Sequence, residues 1–234
     1  MADPTPYLPE DVAVQPPALF PPFKQSVTRK PASAPIPIPH TLTEITGPAD
    51  WDRLAGAPVT DLTKQHKGEP LGERIVMHGR VLDENDRPVR RTMVELVQAN
   101  AAGRYAHVYD QHDAPLDPNF TGVGRAITDD EGRYCFITIK PAPYPWWNGP
   151  NTWRPSHIHW SLLGPGFAAR LITQMYFPGD PLFPLDAIAT SVPEHERHRI
   201  VCQFDPETTE PYWAIAYRFD FVLRGRKATP MEQH

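Results

Sequence analysis

The segment RPSHIHW contains two histidines, His157 and His159, which are separated by one residue. The residues after Pro155 are largely β-branched, aliphatic or aromatic, a composition that predicts a strand. In a strand, residues i and i+2 project from the same face, so both imidazoles can reach one point. Ile158 and Trp160 then mark the opposite face as the apolar one. The pair suits a metal ion, although two histidines on the solvated face of a strand are a commoner arrangement.

The loop that leads into this pair, residues 141–155, is rich in proline, glycine and tryptophan and contains Tyr144. A ferrous oxygenase site would add a carboxylate to the two histidines, and a catalytic zinc site would add a third protein ligand. No HExxH, HxxEH or His-x-Asp spacing lies near the pair. A phenol can complete the site, because a trivalent hard cation stabilises phenolate at neutral pH. Such ligation favours ferric iron, although Tyr144 taken alone fits a packed loop aromatic better.

The elements that must position these side chains begin near residue 73. Seven short segments there are rich in β-branched and aromatic residues and are bounded by turn-forming residues. These segments are ERIVMHGRVLD, TMVELVQA, RYCFITIK, SHIHWSLLG, ARLITQMYF, RIVCQFD and YWAIAYRFDFVL. Seven strands without long helical periodicity predict an all-β fold, an antiparallel β-sandwich with long Pro-rich loops. One short helix is predicted at 193–198, with turns at 85–88 and 129–132.

Residues 1–72 predict an irregular, Pro-rich N-terminal arm, followed by a catalytic domain over 73–234. Segments such as PPALFPPF and PASAPIPIPH place proline where neither a helix nor a central strand could continue. The arm could be a disordered tail. However, it carries enough apolar side chains to pack on the core or on a partner subunit. These are Leu19, Phe20, Phe23, Ile36 and Ile38.

The composition indicates one large domain with a substantial core, since 40% of the 234 residues are hydrophobic. A formal net charge of -5 gives no electrostatic reason to expect nucleic acid or an anionic membrane as partner. The N-terminus has neither the basic nor the apolar region of a secretory signal, and no run is long enough to span a membrane. Two cysteines, Cys135 and Cys202, are interpreted as buried free thiols, which favours the cytoplasm.

Three motifs, LDPNFTGVGR, YPWWNGPN and RPSHIHW, together resemble the intradiol ring-cleavage dioxygenases. Within that family the chain resembles the iron-bearing β subunits of the protocatechuate-cleaving branch, strongly over about 73–225 and more loosely through PPALFPPFKQSVTR. The resemblance implies a β-sandwich with one non-haem Fe(III) per chain. It implies cleavage of protocatechuate (3,4-dihydroxybenzoate) with O2 to 3-carboxy-cis,cis-muconate, within the β-ketoadipate pathway of aromatic catabolism.

Carried over residue by residue, the resemblance implies four metal ligands: Tyr105, Tyr144, His157 and His159. Resemblance, and not spacing, selects Tyr105 over its neighbours Tyr109, His107 and His112, which are interpreted as loop or surface residues.

The same resemblance implies roles beyond the ligands. Tyr144 would be the ligand released when substrate binds, and Arg154 would stabilise the electron-rich substrate and the developing oxyanion. Trp146, Gln174 and Ile188 would line the substrate pocket. Many relatives carry arginine where this chain has Trp147, which removes one positive charge from the site.

The β-subunit resemblance also implies a partner, a homologous α subunit that would form αβ protomers with this chain and assemble further. Catechol or hydroxyquinol as substrate is an alternative within the same family. A zinc hydrolase built on the two histidines would lack a third ligand and a general base. A non-enzymatic transthyretin-like binding module would lack the loop between PYPW and HIH.

Overall fold

A computed structural model describes residues 13–33, 56–164 and 170–232 of the chain. Two sheets face each other. The first has the order β3-β2-β7-β8, formed by Val123–Ile127, Met93–Val97, His157–Leu163 and Leu171–Tyr176. The second has the order β11-β1-β10-β9, with β4 also paired to β1. Its strands are Phe221–Val222 (β11), Arg74–Leu82 (β1), Ile215–Arg218 (β10), Gln203–Phe204 (β9) and Arg133–Ile139 (β4).

The core lies between these sheets and follows from the alternation of side chains along the strands. On β7, Ile158 and Trp160 are almost fully buried. The indole of Trp160 contacts the rings of Tyr134, Phe136 and Phe221 on the opposite sheet, with centroid distances of 5.5, 5.7 and 5.5 Å. This aromatic cluster holds the sheets together and turns the histidine face of β7 away from the core. The predicted β-sandwich is confirmed.

The pairing of the second sheet is mixed. β1 is antiparallel to β4 but parallel to β10 and to β11. The predicted segment YWAIAYRFDFVL forms two short strands instead of one. The backbone N–H of Phe219, between them, donates to the carbonyl of His78 at 2.9 Å. The parallel pairings bring the end of the chain back across the middle of the sandwich.

Strand β3 (Val123–Ile127) was not among the predicted segments, because glycines interrupt the alternation in GVGRAI. Packing explains the second glycine, since a Cβ on Gly124 would lie 2.6 Å from Cδ1 of Leu62. Leu62 begins a 3₁₀ helix, Leu62–Lys64, and is fully buried in the core. Conversely, RIVCQFD contributes only the two-residue β9.

Few helices interrupt the strands. The described α-helices are α1, Lys24–Arg29, and α2, Ala187–Ser191. The short helix predicted at 193–198 is present as a 3₁₀ helix, Glu194–Ile200, and another spans Phe183–Leu185. Both predicted turns are present, with Asp86 (φ 61°) and Gly132 (φ 71°) in the left-handed region. None of the described helices is long and apolar enough to cross a membrane.

The two cysteines differ in environment. Cys202 is buried and free, as expected, but Cys135 is exposed, so the prediction of two buried thiols was wrong for this residue. Tyr134 and Phe136 on either side of it point into the core. A strand residue between two inward neighbours must point outward. The apolar neighbours of Cys135 in the sequence therefore did not indicate which face of the sheet its side chain occupies.

The part of the N-terminal arm that is described lies on the sandwich. Phe23 is buried, and its ring centroid is 5.7 Å from that of Trp146. Asn148 accepts a hydrogen bond from the Lys24 N–H and donates one to the Pro22 carbonyl, both at 2.9 Å. The arm is thus fastened to the loop that contains Trp146. Among the other apolar arm residues, Leu19 is 40% exposed, and Ile36 and Ile38 lie outside the described residues.

Candidate metal centre

Strand β7 carries the two histidines side by side. In the sheet His157 pairs with Tyr176 of β8, and His159 pairs with Gln174. The Nε2 atoms of the two imidazoles are 3.2 Å apart. His157 is buried, and its Nδ1 donates to the carbonyl of Pro155 at 2.7 Å. That bond fixes the ring and leaves the Nε2 lone pair facing His159.

A small hairpin brings Tyr144 to the same point. Strands β5 (Tyr144–Pro145) and β6 (Trp153–Arg154) pair so that Tyr144 stands opposite Arg154. The Tyr144 hydroxyl lies 3.2 Å from Nε2 of His157. The Pro- and Gly-rich loop therefore folds back on itself, which places its phenol and its arginine on either side of the first histidine.

Tyr105 reaches the site from a separate loop. Gly103 (φ 78°) makes this possible, since a Cβ there would lie 2.2 Å from the Pro143 carbonyl. The Tyr105 N–H donates to Oδ2 of Asp110 at 2.7 Å, which anchors the backbone. The Tyr105 ring meets Tyr144 edge-on at a centroid distance of 5.3 Å, and its centroid is 6.2 Å from that of His159. Two phenols and two imidazoles thus converge on one region.

Electrostatics make this region suited to a cation. The buried hydroxyl of Tyr105 has no hydrogen-bond partner among the described residues. Burial, followed by the neighbouring Tyr144, raises the pKa of Tyr105 well above its usual value. Burial, the charge of Arg154 and the nearby His159 lower the pKa of His157 well below its usual value. His157 is therefore neutral at physiological pH, while the Tyr105 phenol needs a strong positive charge nearby before it releases its proton.

The donor set fits a ferric ion better than zinc. Over the described ranges, no group of three or more His, Cys, Asp and Glu side chains could hold a metal ion. A site with two histidines and two tyrosines supplies hard anionic oxygens once the phenols ionise, which suits a trivalent cation. The buried Tyr105 hydroxyl, which has no hydrogen-bond partner among the described residues, is the observation that most directly favours metal binding at this position.

Arg154 connects the histidine strand to the strands around it. It is buried, its Nη1 lies 3.2 Å from Nε2 of His157, and its Nε donates to Oδ2 of Asp186 at 2.8 Å. Its Nη2 donates to the Tyr176 hydroxyl at 2.9 Å and to Oε1 of Gln174. Burial alone would lower the pKa of Arg154, but Tyr176 and Asp186 outweigh it and raise the pKa. The guanidinium is therefore a fixed positive charge beside the donor cluster.

Sequence reasoning missed three residues of this neighbourhood. Tyr176 lies two residues after Gln174 on β8, so the strand period could have placed both on one face. Asp186 precedes AIATS, a helix N-cap pattern, and its Oδ1 accepts from the N–H of Ile188 at 2.7 Å. No pattern in the sequence around Glu232 indicated that it lies near the site. Its Oε2 lies 3.7 Å from Nδ1 of His159 only because the chain end folds back.

A cavity of about 330 Å³ adjoins the donor cluster. Two of the three residues expected to line a pocket, Gln174 and Ile188, form part of its wall together with Phe23 of the arm. Trp146 and the four donor residues are not among the described wall residues. Instead, Trp146 lies against Phe23 on one side, and the guanidinium carbon of Arg154 lies 5.2 Å from its ring centroid.

Among the residues interpreted as surface or loop residues, His107 and Tyr109 are more exposed than the four donors. Tyr109 is 86% exposed and packs against His107. His112 is half-buried and meets Trp153 edge-on at a centroid distance of 6.3 Å. Trp147, which replaces an expected arginine, is 89% exposed. The structure thus separates Tyr109 from Tyr105, although the two are close in sequence.

Comparisons with known proteins agree on the family. Residues 45–225 match a family model described as dioxygenase, and residues 8–41 match one described as the N-terminal region of the protocatechuate 3,4-dioxygenase β subunit. The protocatechuate 3,4-dioxygenase β chain of Burkholderia cepacia is 54% identical, and the alignment covers 100% of both chains. The α chain of the Pseudomonas putida enzyme is 29% identical over 82% of this chain and 95% of its own length.

A solved structure shows the same fold. The 3-chlorocatechol 1,2-dioxygenase of Rhodococcus opacus superimposes with a TM-score of 0.55 and 25% identity, over 70% of this chain and 64% of that one. The family model covers most of the chain, and the β-chain relative covers all of it. The chain therefore belongs to the intradiol ring-cleavage dioxygenase family, in which it is similar over its full length to a protocatechuate 3,4-dioxygenase β chain.

Proposed function

We propose that this protein cleaves the aromatic ring of protocatechuate between its two hydroxyl groups, with dioxygen and one Fe(III) per chain. The product is 3-carboxy-cis,cis-muconate, in the catabolism of aromatic compounds. One observation carries the proposal: two phenols and two imidazoles converge on one region in a chain 54% identical to a protocatechuate 3,4-dioxygenase β chain.

The proposed ligands are Tyr105, Tyr144, His157 and His159. The two histidines supply neutral nitrogen donors, and the two phenols supply negative charge once ionised. When bound, ferric iron would accept charge from a catecholate, which gives the ring the radical or carbanion character that dioxygen attacks. The orphaned Tyr105 hydroxyl supports this ligand set, because a buried polar atom without a partner is costly in a metal-free protein.

Tyr144 and Arg154 would accept a proton and stabilise negative charge, respectively. A catechol must lose two protons to bind through both oxygens; Tyr144 would accept one of them as a phenolate, and solvent-derived hydroxide would accept the other. The hydroxyl of Tyr144 lies 3.2 Å from Nε2 of His157, and the backbone of Tyr144 belongs to the two-residue strand β5. Arg154 faces the same point with a permanent positive charge, which stabilises the anionic substrate and the oxyanion that develops from it.

Two buried donors near the proposed ligands have no hydrogen-bond partner in the described part of the chain. Nε2 of Gln174 belongs to the cavity wall, and Nε1 of Trp146 lies outside that wall. The amide orientation of Gln174 is set by Arg154, which can only donate and therefore takes the carbonyl oxygen. Ile188 adds an apolar wall for the ring. These residues would orient the catechol and exclude water.

We further infer that a homologous α subunit completes the protein as αβ protomers, which assemble further. The α-chain relative shows that such a subunit exists in the family. Because Trp147 is exposed and uncharged, the α subunit is the proposed source of charge for the substrate carboxylate. The two cysteines are free, which suits a reducing compartment, so the cytoplasm is the proposed location.

Purification with the α partner tests the function. The protein should contain one iron per β chain and be red to burgundy, because tyrosinate-to-iron charge transfer absorbs visible light. It should consume one O2 per protocatechuate and form the carboxy-muconate, with catechol and hydroxyquinol tested in parallel as alternative substrates. A colourless protein that holds stoichiometric zinc and stays colourless with Fe(III) would overturn the proposal.

A further inference from the structure

The chain end is tied to strand β8 beside the donor cluster. The hydroxyl of Thr173 donates to the carbonyl of Pro230 at 2.6 Å, and the N–H of Glu232 donates to the carbonyl of Ile172 at 2.8 Å. The N–H of Met231 donates to the side chain of Gln15 at 2.7 Å. Residues 230–232 therefore run along the edge of the first sheet, held between the sheet and the N-terminal arm.

This placement brings the Glu232 carboxylate behind one metal ligand. Its Oε2 lies 3.7 Å from Nδ1 of His159, and its side chain is only 9% exposed. Nε2 of His159, the other ring nitrogen, faces His157 at 3.2 Å. The carboxylate thus stands on the side of the imidazole that points away from the proposed metal.

The two histidines differ in what holds their outer nitrogen. For His157 the partner is the neutral carbonyl of Pro155, at 2.7 Å. For His159 the carboxylate of Glu232 stands 3.7 Å from Nδ1, an electrostatic contact that is longer than a hydrogen bond. A carboxylate behind a ligating imidazole fixes its tautomer and raises its basicity, and outer partners of this kind matter for metal affinity. A buried charge also acts at 3.7 Å without an ideal hydrogen bond, because screening is weak there.

We propose that Glu232 is a positioning residue of the metal centre. Its carboxylate keeps the proton of His159 on Nδ1, leaves Nε2 free to ligate, and makes His159 a stronger electron donor than His157. The added negative charge favours the ferric over the ferrous state. This inference rests on the proposed function, because it presupposes an iron ion at the donor cluster.

A fixed positive charge, that of Arg154, also stands beside the donor cluster. Arg154 itself is paired with Asp186 at 2.8 Å. This positive charge is therefore matched by Asp186, and the Glu232 carboxylate contributes further negative charge beside His159.

The test compares the iron-loaded αβ protein with its Glu232→Gln variant, which keeps the shape and removes the charge. We expect Fe(III) affinity to fall about tenfold to a hundredfold. Each tenfold loss confined to the ferric state raises the Fe(III)/Fe(II) potential by about 59 mV. The charge-transfer band should move to longer wavelength, because the iron accepts an electron more easily.

Two further variants separate charge from folding. Glu207→Gln removes an exposed carboxylate elsewhere and should leave both the potential and the band unchanged. Glu232→Asp keeps the charge and should stay closer to wild type than Glu232→Gln. A Glu232→Gln protein with the wild-type band and potential overturns the inference and leaves the proposed function standing. A wild-type protein that takes up no ferric iron overturns both.

Discussion

At the scale of single residues, Arg154 is the side chain through which the donor cluster and the cavity wall meet. It contacts His157 on one side, and Gln174 and Tyr176 on the other, while Asp186 balances its charge. A buried ion pair of this kind adds little net stability, because desolvation of both charges offsets their attraction. Its position beside the proposed metal ligands therefore favours a role in the reaction over one in folding.

Replacement of Arg154 tests that role. Arg154→Ala should retain iron and colour while kcat/KM on protocatechuate falls by about 10²–10³, the usual effect of removing one oxyanion-stabilising donor. Arg154→Lys should recover little of the loss, because an ammonium cannot reproduce the planar fork of donors. Steady-state kinetics with iron content measured in parallel provide the readout. Wild-type turnover in Arg154→Ala would show that Arg154 has only a structural role.

Tyrosine substitutions test the ligand assignment at the same scale. Tyr105→Phe and Tyr144→Phe should each weaken or shift the visible charge-transfer band per bound iron, because each removes one phenolate donor. Tyr109→Phe is the matched control, since Tyr109 is close in sequence but 86% exposed. Visible absorption of the iron-loaded variants is the measurement. A band that changes with Tyr109 and not with Tyr105 would identify a different ligand.

At the scale of elements, the site depends on short pieces that the two sheets position. The β5–β6 hairpin sets Tyr144 opposite Arg154. Helix α2 has Asp186 as its N-cap, so one carboxylate accepts from the helix backbone and from the arginine. Asp186, which is fully buried, thus connects the N-terminus of helix α2 to the guanidinium of Arg154.

This link predicts a large effect of Asp186→Asn on stability. The amide can still cap the helix through its oxygen, but the buried Arg154 charge loses its counter-ion. We expect a loss of about 3–5 kcal/mol, as for other buried pairs broken on one side. Asp86→Asn removes the exposed partner of Lys227, 3.1 Å away, and should cost about 0–1 kcal/mol. Urea unfolding of both variants would contradict the link if their losses were equal.

At the scale of the whole molecule, the N-terminal arm and the chain end both fold onto the same side of the sandwich. The arm is fastened through Asn148 beside Trp146, and Gln15 of the arm binds the backbone of Met231. Several large side chains in the two loop regions that carry Tyr105 and Tyr144 nevertheless stay exposed. They include Val108, Tyr109, Leu116, Trp147 and Trp153.

Removal of residues 1–48 tests the contribution of the arm to assembly. Co-expression with the α partner should give a large αβ assembly with full activity, whereas this chain alone should be poorly soluble or weakly active. The truncated chain should lose assembly, measured by size-exclusion chromatography, before it loses iron colour. A soluble monomer of 26.4 kDa with full activity on protocatechuate would contradict the prediction.

The sequence by itself determined the features that depend on near neighbours along the chain. The two-residue period of HIHW places His157 and His159 on one face of β7 and Ile158 and Trp160 on the other. Turn-forming residues bounded most strands, and family motifs pointed to the ligand residues. Local periodicity failed where glycines interrupt it, as in β3, and where apolar neighbours disguise an outward position, as at Cys135.

Only the tertiary structure decided which distant groups meet. The Tyr105 ring reaches Tyr144 because Gly103 lets its loop pass against Pro143. The contacts of Asp186 with Arg154 and of Glu232 with His159 join parts of the chain with no shared pattern. Such contacts depend on strand pairing and on how the chain ends pack, and these are set by burial of the whole core. The charges around the site therefore belong to the fold and cannot be deduced from any one segment.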